Sequence, residues 1–250
     1  MTRARDAVAA ESVTRSGDTV EAESAVRSGD TVEAGSVTST GTPVDRSVRP
    51  KVLLATHNRG KLVEMARILT PLVSAVEVLS LDDVPAYDEP AETEPTFDGN
   101  ARLKAHAALA HSGLPSVADD SGLCVDALNG MPGVLSARWA GRGENRPRGY
   151  ELLLDQLAEV PDERRGAYFV ACMVLVLPDG TEHVVEGRMP GRIAREPAGD
   201  GGFGYDPVFV PDGETRTAAQ LPPAEKDALS HRGKAVRAMA PLIAAALTQR

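Results

Sequence analysis

Residues Val117–Gly122 read V-A-D-D-S-G, a short run of small apolar residues that ends in two adjacent aspartates. Side chains alternate between the two faces of a β-strand, so a strand that runs into Asp119 and Asp120 places their carboxylates on opposite faces. One carboxylate can then face a ligand while the other faces the protein. Such oxygen ligands suit Mg²⁺, which is commonly held by one or two carboxylates together with water and phosphate oxygens. The alternative interpretation is a solvated turn with a capping aspartate.

The sequence before this stretch alternates between strand and helix patterns. Short apolar runs predict strands, and apolar residues that recur at helical spacing predict helices between them. Threonine or aspartate is a favoured cap at the start of the second helix. The predicted elements are strands at Lys51–Thr56, Val76–Leu81 and Ser116–Asp119, and helices at Lys61–Leu72 and from Thr96 or Asp98 to about His111.

The sequence after the aspartate pair continues the alternation and adds one hairpin. Pro178-Asp179-Gly180 separates two apolar runs and is a strong turn signal. Together the elements predict an α/β fold with a sheet of mixed direction. The further elements are a helix from about Arg148 to Ala158, strands at Ala167–Leu177, Thr181–Gly187 and Val208–Val210, and a helix at Ser230–Thr248.

The first 49 residues differ in composition from the rest of the chain. The octapeptide R-S-G-D-T-V-E-A occurs twice, at Arg15–Ala22 and Arg27–Ala34. The segment has no aromatic residue, leucine or isoleucine, so it cannot bury enough apolar surface to offset the entropy lost on ordering. We expect residues 1–49 to be a disordered extension and residues 50–250 to form the functional domain.

Composition and charge exclude several classes of protein. The 250 residues are 42% hydrophobic and carry a net charge of −9, so no global basic field is available to bind nucleic acid. Cys124 and Cys172 lie in apolar runs, which is typical of buried thiols in a reducing compartment. No apolar run is long enough to span a membrane, and no signal peptide is evident. We therefore expect a cytoplasmic protein without a nucleic-acid or membrane partner.

The first predicted strand leads into T-H-N-R-G-K, at Thr56–Lys61, and then into a helix. A strand–loop–helix junction offers unpaired amides at a helix N-terminus, where an anion is favoured. Lys61 adds a positive charge suited to phosphate. The spacing is not that of a P-loop, and many structural junctions look similar.

The stretch G-D-G-G-F-G-Y-D-P, at Gly199–Pro207, has four glycines in six positions. Glycines at this density allow the backbone to approach a ligand closely. Phe203 and Tyr205 could stack on a nucleotide base, or they could fill the apolar core. The sequence favours neither alternative.

Polar residues precede the final predicted helix and lie within the second one. Lys226 can contact phosphate, and His231 and Arg232 can donate hydrogen bonds to carbonyl oxygens on a base. Ser230 is a suitable cap for the last helix. Lys104 lies mid-helix, where lysine is usually solvated, although it could reach the same site.

Six sequence blocks follow one another along the chain. They are T-H-N-R-G-K-x-x-E (Thr56–Glu64), T-F-D-G-N-A-R-L-K-A (Thr96–Ala105), A-D-D-S-G-L (Ala118–Leu123), P-G-V-L-S-A-R (Pro132–Arg138), G-G-F-G-Y-D-P (Gly201–Pro207) and E-K-D-A-L-S-H-R-G (Glu225–Gly233). Taken in this order, they resemble the inosine triphosphate pyrophosphatase family, the XTP/dITP diphosphatases. The resemblance covers the chain from about Lys51 to its C-terminal end and leaves the N-terminal extension unexplained.

The resemblance implies a Mg²⁺-dependent homodimer that hydrolyses ITP, dITP and XTP to the monophosphate and pyrophosphate. It implies an elongated mixed sheet flanked by helices, with two lobes and a nucleotide cleft between them. Asp120 would be the catalytic proton acceptor, and Asp120 and Glu92 would be the metal ligands. The implied substrate-binding residues are Thr56, His57, Asn58, Arg59, Gly60, Lys61, Lys104, Ser121, Phe203, Gly204, Tyr205, Asp206, Lys226, His231 and Arg232.

Two positions depart from the family pattern. His57 replaces a glycine in the first loop, which questions any left-handed backbone there. Gly99 stands where many members have glutamate, so a supporting carboxylate is missing.

Two alternative functions remain open at this point. A septum-formation-type nucleotide pyrophosphatase would share the architecture but act on other bases. A nucleotide sensor would bind the same ligands without hydrolysing them.

Overall fold

The computed structural model describes residues 49–141 and 146–248, and only the backbone of residues 146–148. The predictions for residues 1–48 therefore lie outside the described residues. Among the described residues, no helix has the length and apolar character needed to cross a membrane.

Six strands form one sheet in the order β2-β1-β3-β4-β5-β6. The neighbours β2, β1 and β3 are parallel, whereas the β3–β4, β4–β5 and β5–β6 pairs are antiparallel. The predicted α/β fold with a mixed sheet is confirmed. The strands are β1 (Lys51–Leu54), β2 (Glu77–Ser80), β3 (Ser116–Val125), β4 (Gly166–Val176), β5 (Glu182–Ile193) and β6 (Phe209–Pro211).

Five α-helices accompany the sheet within the described residues, together with several short 3₁₀ turns such as Gly133–Arg138. Most element ends lie within two residues of the sequence-based prediction. The short helix before the last one was not predicted. The helices are α1 (Arg59–Leu72), α2 (Phe97–Ser112), α3 (Arg146–Gln156), α4 (Pro223–Leu229) and α5 (His231–Thr248).

Side-chain alternation along β3 gives the sheet two different faces. On one face Val117 packs with the apolar sides of α1 and α5, and further along Leu123 packs with Leu153 of α3. On the other face Ala118 packs against the alanines of α2. Asp119 and Ser121 separate Val117 from Leu123 on the first face, so a polar gap lies between two apolar clusters.

The prediction that β3 ends at Asp119 is wrong. The strand continues to Val125 and is paired with β4 along its whole length, including Asp119 with Met173 and Asp120 with Cys172. Aspartate has low strand propensity, but this ladder and the packing of both sheet faces outweigh it. The aspartate pair is therefore held in the middle of a strand and not in a turn.

The predicted hairpin at Pro178-Asp179-Gly180 is confirmed, with Gly180 at a φ of 86°. Its second strand does not end at Gly187 as predicted, because β5 runs on to Ile193. A Cβ atom at Gly187 would lie 2.1 Å from the backbone oxygen of His231. That glycine marks the close approach of α5 and not the end of the strand.

Candidate active site

The edge of β3 is open on one side at the aspartate pair. Strand β1 pairs with β3 only through Ser116 and Val117, because β1 ends at Leu54. From Ala118 onward, the described strands flank β3 only on the β4 side. The loop into α1 approaches this edge, since Lys61 contacts Asp119.

Asp119 and Asp120 point to opposite faces, as predicted. Asp119 lies with Lys61 and Arg232 on the α1/α5 face. Asp120 accepts a hydrogen bond from Asn100 on the α2 face. The two carboxylates consequently have different environments.

Asp119 is fully buried between two cations. Lys61 Nζ lies 3.1 Å and Arg232 Nε lies 3.5 Å from Asp119 Oδ2. Burial alone would raise the pKa of Asp119, but the charges of Lys61 and Arg232 outweigh it and hold the pKa well below its ordinary value. Burial also lowers the pKa of Lys61, against the attraction of Asp119. Asp119 is thus an ionised counter-charge for the residues around it.

Asp120 has weaker charge partners and a less acidic carboxyl. Its Oδ2 accepts from Asn100 Nδ2 at 3.1 Å, and its Oδ1 lies 3.7 Å from Lys104 Nζ. Burial raises the pKa of Asp120 to about 6 despite the nearby Lys104 and Lys61 charges. A carboxylate with this pKa is suited to accept a proton near neutral pH.

Glu92, in the acidic loop before α2, reaches the same face. Its Oε1 accepts from Lys104 Nζ and its Oε2 from Arg138 Nη1, each at 2.5 Å. Burial would raise the pKa of Glu92, but Lys104 and Arg138 lower it below its ordinary value. Asn100 ties this loop to Asp120, because it also exchanges two hydrogen bonds with the backbone of Glu94.

A second buried network joins α1 to the start of α5. Glu64 accepts from Lys226 at 2.8 Å and from Arg232 at 2.5 Å. Lys226 also donates to Asp206 at 2.7 Å, and Arg232 donates to Ser121 at 2.9 Å. Lys226 and Arg232 are therefore fixed in position by carboxylates of the chain itself.

The two alternatives for the glycine-rich loop apply to different residues. Tyr205 is buried in the apolar cluster around α3 and donates to the Ser136 carbonyl oxygen at 2.9 Å. Phe203 lies under the cations of Lys226 and Arg232, 5.2 and 5.5 Å from its ring centre. Asp206 accepts from the Phe203 amide at 2.8 Å, which fixes the loop. Of the two aromatic residues of this loop, Phe203 is thus the one that lies outside the apolar clusters.

A pocket of about 290 Å³ occupies the polar gap between the two apolar clusters. Ten predicted substrate-binding residues line it, together with Gly122, Ser136, Ala137, Trp139, Ala140, Gly141, Gly149 and Phe169. The ten are Asn58, Lys61, Ser121, Phe203, Gly204, Tyr205, Asp206, Lys226, His231 and Arg232.

His231 forms part of the pocket wall. It is buried and stacks on Phe169, with ring centres 4.8 Å apart. Its Nδ1 has no hydrogen-bond partner in the described part of the chain. Burial and the charges of Arg232 and Lys226 hold the pKa of His231 well below its ordinary value, so the ring is neutral.

The predicted phosphate loop contributes Asn58 and Lys61 to the pocket, whereas its other four residues do not line it. Asn58 caps α1 by accepting from the Lys61 amide at 3.2 Å, and Thr56 accepts from the Asn58 amide at 3.3 Å. A Cβ atom at Gly60 would lie 2.8 Å from the Phe203 ring, so this glycine permits the two loops to touch. His57 and Arg59 are exposed and do not line the pocket.

The two departures from the family pattern have structural explanations. Among the described non-glycine residues, only Asn129 has a positive φ, so His57 needs no left-handed backbone. A Cβ atom at Gly99 would lie 2.6 Å from the Glu94 Cβ. Glycine at position 99 therefore allows the acidic loop to pack closely on α2.

Lys104, Asp120 and Glu92 lie together on the α2 face and outside the pocket lining. Sequence reasoning did not single out three residues that organise these sites, namely Glu64, Asn100 and Arg138. Each lies inside a quoted block, and Glu64 follows Lys61 by one helical turn, which was the available signal.

The chain matches the model of the Ham1 family over residues 52–242. It is 59% identical over 196 residues to the dITP/XTP pyrophosphatase of Nocardia farcinica, which covers 78% of this chain and 95% of the relative. A relative with the same description from Mycobacteroides abscessus is 57% identical over 194 residues, covering 77% and 94%.

Two solved structures are similar as well. The crystal structure of a nucleoside-triphosphatase, dITP/XTP pyrophosphatase, from Mycobacterium abscessus gives a TM-score of 0.64 at 57% identity, covering 76% of this chain and 99% of that one. A HAM1 protein from Coxiella burnetii gives 0.69 at 38% identity, covering 78% and 98%. The relationship predicted from the six sequence blocks is thus confirmed, and the chain belongs to the Ham1 family.

Proposed function

We propose that the chain hydrolyses the non-standard purine nucleoside triphosphates ITP, dITP and XTP to the monophosphate and pyrophosphate. This activity would remove such nucleotides from the pool used to make DNA and RNA. The observation that carries the proposal is the convergence of three elements beside the aspartate pair. The α1 N-terminus and the start of α5 meet β3 at Asp119 and Ser121. The glycine-rich loop lies against both of these elements, because Phe203 packs close to Gly60 and under Arg232. The names of the similar proteins support the same activity.

The nucleotide would lie with its base in the pocket and its phosphates toward the open edge of β3. Phe203 offers an aromatic face for the base, and the α1 N-terminus with Lys61 offers positive potential for phosphate. Because β1 has ended, a triphosphate can pass around this edge from Ser121 to Asp120 and Lys104 on the other face. The apolar clusters on either side of the pocket would be the cores of two lobes, with the nucleotide cleft between them.

The residues on the α2 face fit Mg²⁺. Asp120 and Glu92 supply only oxygen ligands and share Lys104 as a neighbour. No group of three or more metal-ligating side chains occurs among the described residues, so water and phosphate oxygens would complete the shell. When bound there, Mg²⁺ would neutralise phosphate charge and acidify a coordinated water.

The chain's own residues would do the remaining chemistry. Asp120 accepts a proton from the attacking water as its oxygen forms a bond to the α-phosphorus. The bond from the α-phosphorus to the bridging oxygen breaks, and pyrophosphate leaves with the electron pair. Lys61 and Lys104, which flank the aspartate pair, stabilise the negative charge that spreads over the phosphate oxygens.

Selection of the base would depend on donors aimed at its 6-oxo group. Arg232 and His231 lie in the pocket wall at the start of α5. Adenine presents an amino group at that position, and two facing donors in a buried pocket are costly. ATP would therefore be rejected.

A substrate panel tests the function directly. Pyrophosphate release from ITP, dITP, XTP, ATP, GTP and pyrimidine triphosphates would be measured with Mg²⁺ for the wild type and Asp120→Asn. We expect rapid hydrolysis of the first three by the wild type alone. Preference for pyrimidine or modified bases would favour the septum-formation-type activity. Nucleotide binding without product, unchanged in Asp120→Asn, would favour a sensor.

We also propose that the chain forms a homodimer, as the resemblance implies. Light scattering coupled to gel filtration measures its mass in solution. A monomeric mass at the concentrations that support turnover would contradict this proposal.

A further inference from the structure

The Lys104 ammonium lies between the two carboxylates proposed for the metal. Its Nζ is 2.5 Å from Glu92 Oε1 and 3.7 Å from Asp120 Oδ1. The Lys104 side chain is only 9% exposed, and α2 directs it toward β3 together with Asn100, one helical turn earlier. Lys104 is thus a buried cation in the place where two carboxylates meet.

The remaining carboxylate oxygens also have donors within the chain. Glu92 Oε2 accepts from Arg138, and Asp120 Oδ2 accepts from Asn100. Asp120 Oδ1 accepts from the Ser121 amide at 3.0 Å. A metal ion that binds these carboxylates must therefore share their oxygens with donors that are already in place, two of which are cations.

We propose that Lys104 is an internal cation that competes with Mg²⁺ for Glu92 and Asp120, so that the metal binds tightly only together with a triphosphate. The triphosphate offers the Lys104 ammonium another anionic partner, and the ammonium moves from the carboxylates to the phosphate as the metal enters. This inference rests on the proposed function, because it assigns the triphosphate as the partner that releases Lys104.

The electrostatics of the site favour this order. A divalent ion placed beside Glu92 and Asp120 is repelled by an ammonium a few ångströms away, and this repulsion is strong where water is largely excluded. A bound triphosphate adds negative charge that compensates both cations at once. Metal and nucleotide then increase each other's affinity by the same factor, as thermodynamic linkage requires.

Metal binding to the nucleotide-free protein tests the inference without any turnover. Mg²⁺ would be titrated by calorimetry, and Mn²⁺ by electron paramagnetic resonance of the unbound ion. We expect Lys104→Met to raise the affinity for either ion by at least about tenfold, because it removes the competing charge. Lys104→Arg, which keeps the charge, should bind the metal as weakly as the wild type.

Arg102→Gln is the matched control. It removes the same charge from the same helix, but Arg102 pairs with Asp98 and Glu182 and not with the two carboxylates. Its metal affinity should equal that of the wild type. If Lys104→Met does not fold, as judged by circular dichroism, Arg138→Gln tests the same competition by removing the other cation from Glu92.

A non-hydrolysable α,β-methylene analogue of ITP completes the experiment. It should raise the metal affinity of the wild type strongly and that of Lys104→Met much less. Equal metal affinity of the wild type and Lys104→Met without nucleotide would overturn the inference. If the wild type still hydrolyses XTP in that case, the proposed function stands and only the role of Lys104 is rejected. If Lys104→Met binds the metal more tightly but the wild type hydrolyses no triphosphate, the proposed function is rejected and the role of Lys104 as a competing cation stands.

Discussion

Arg232 Nη1 donates a 2.5 Å hydrogen bond to Glu64 Oε2, although the two residues are 168 positions apart in the sequence. Glu64 also accepts from Lys226, so one carboxylate of α1 holds two cations of the pocket wall. Burial would raise the pKa of Glu64, but Arg232 and Lys226 lower it, and the carboxylate is ionised. Glu64 thus links α1 to α4 through Lys226 and to the first turn of α5 through Arg232.

Replacing this carboxylate is expected to damage both stability and binding. Glu64→Ala leaves Lys226 and Arg232 with one counter-charge fewer in a buried site, which typically costs about 3–5 kcal/mol of the free energy of unfolding. The KM for the nucleotide should rise because both cations lose their fixed positions. Urea denaturation and steady-state kinetics measure the two effects. The control Glu77→Ala removes an exposed partner of Lys51 and should cost at most about 1 kcal/mol. Equal losses of unfolding free energy in the two variants would show that the buried network stabilises the protein no more than an exposed ion pair does.

The two aspartates should respond differently to the same substitution. Asp120→Asn removes the proton acceptor and should lower kcat by roughly 10²–10⁴-fold while the protein stays folded. Asp119→Asn removes the counter-charge of Lys61 and Arg232, so its main effect should be a lower free energy of unfolding. Kinetics and thermal denaturation of both variants measure the difference. A stable Asp119→Asn protein without activity, beside an active Asp120→Asn protein, would reverse the assignment.

Close packing of the predicted phosphate loop, Thr56–Lys61, on the glycine-rich loop can be tested at Gly60. In Gly60→Ala the new Cβ atom would lie 2.8 Å from the Phe203 ring and should push the ring out of place. We expect the KM to rise about fivefold, equivalent to about 1 kcal/mol of lost binding energy. Thermal stability should be unchanged or slightly higher, since alanine favours the helix. In a Phe203→Ala background the substitution should have little further effect on KM, and an additive increase would contradict the explanation.

Because His231 is buried and neutral, we expect the protein to lose stability in mild acid. Burial keeps its folded-state pKa well below the unfolded value of about 6.5, so below that pH the unfolded chain binds a proton that the folded chain does not. Stability from this residue is therefore complete above about pH 6.5 and falls as the pH is lowered from there toward the folded-state pKa. Denaturation at several pH values gives the free energy of unfolding as a function of pH. This dependence should be weaker for His231→Phe, which keeps the stacking on Phe169. An unchanged slope in His231→Phe would assign the acid sensitivity to other groups.

The sequence predicted the orientation of the aspartate pair but not the length of its strand. Opposite faces for Asp119 and Asp120 follow from the period of two in any strand, which needs no information from elsewhere. The continuation to Val125 depends on pairing with β4, and no local pattern in D-D-S-G-L reports that partner. For the same reason the local pattern predicts a strand end at Gly187, whereas the role of this glycine depends on α5.

The sequence predicted the residues proposed to contact the nucleotide better than the buried residues that hold them in position. Lys61, Phe203 and Arg232 could be selected because cations and aromatic residues beside glycine-rich loops suggest a nucleotide. Glu64 bonds to Arg232, 168 positions away, and Asn100 bonds to Asp120, 20 positions away, so these functions are visible only after folding brings the partners together. Local sequence carries no information about such pairs.

Removal of residues 1–48 should leave turnover intact. Every residue assigned to the pocket or to the proposed metal site lies between Thr56 and Arg232, and the family match begins at residue 52. The repeated R-S-G-D-T-V-E-A segment supplies no aromatic, leucine or isoleucine side chain that the core would lose. A chain that begins at Arg49 should therefore have the kcat, KM and melting temperature of the full chain, measured side by side with XTP. A large loss of activity with an unchanged melting temperature would place part of the substrate site in the extension.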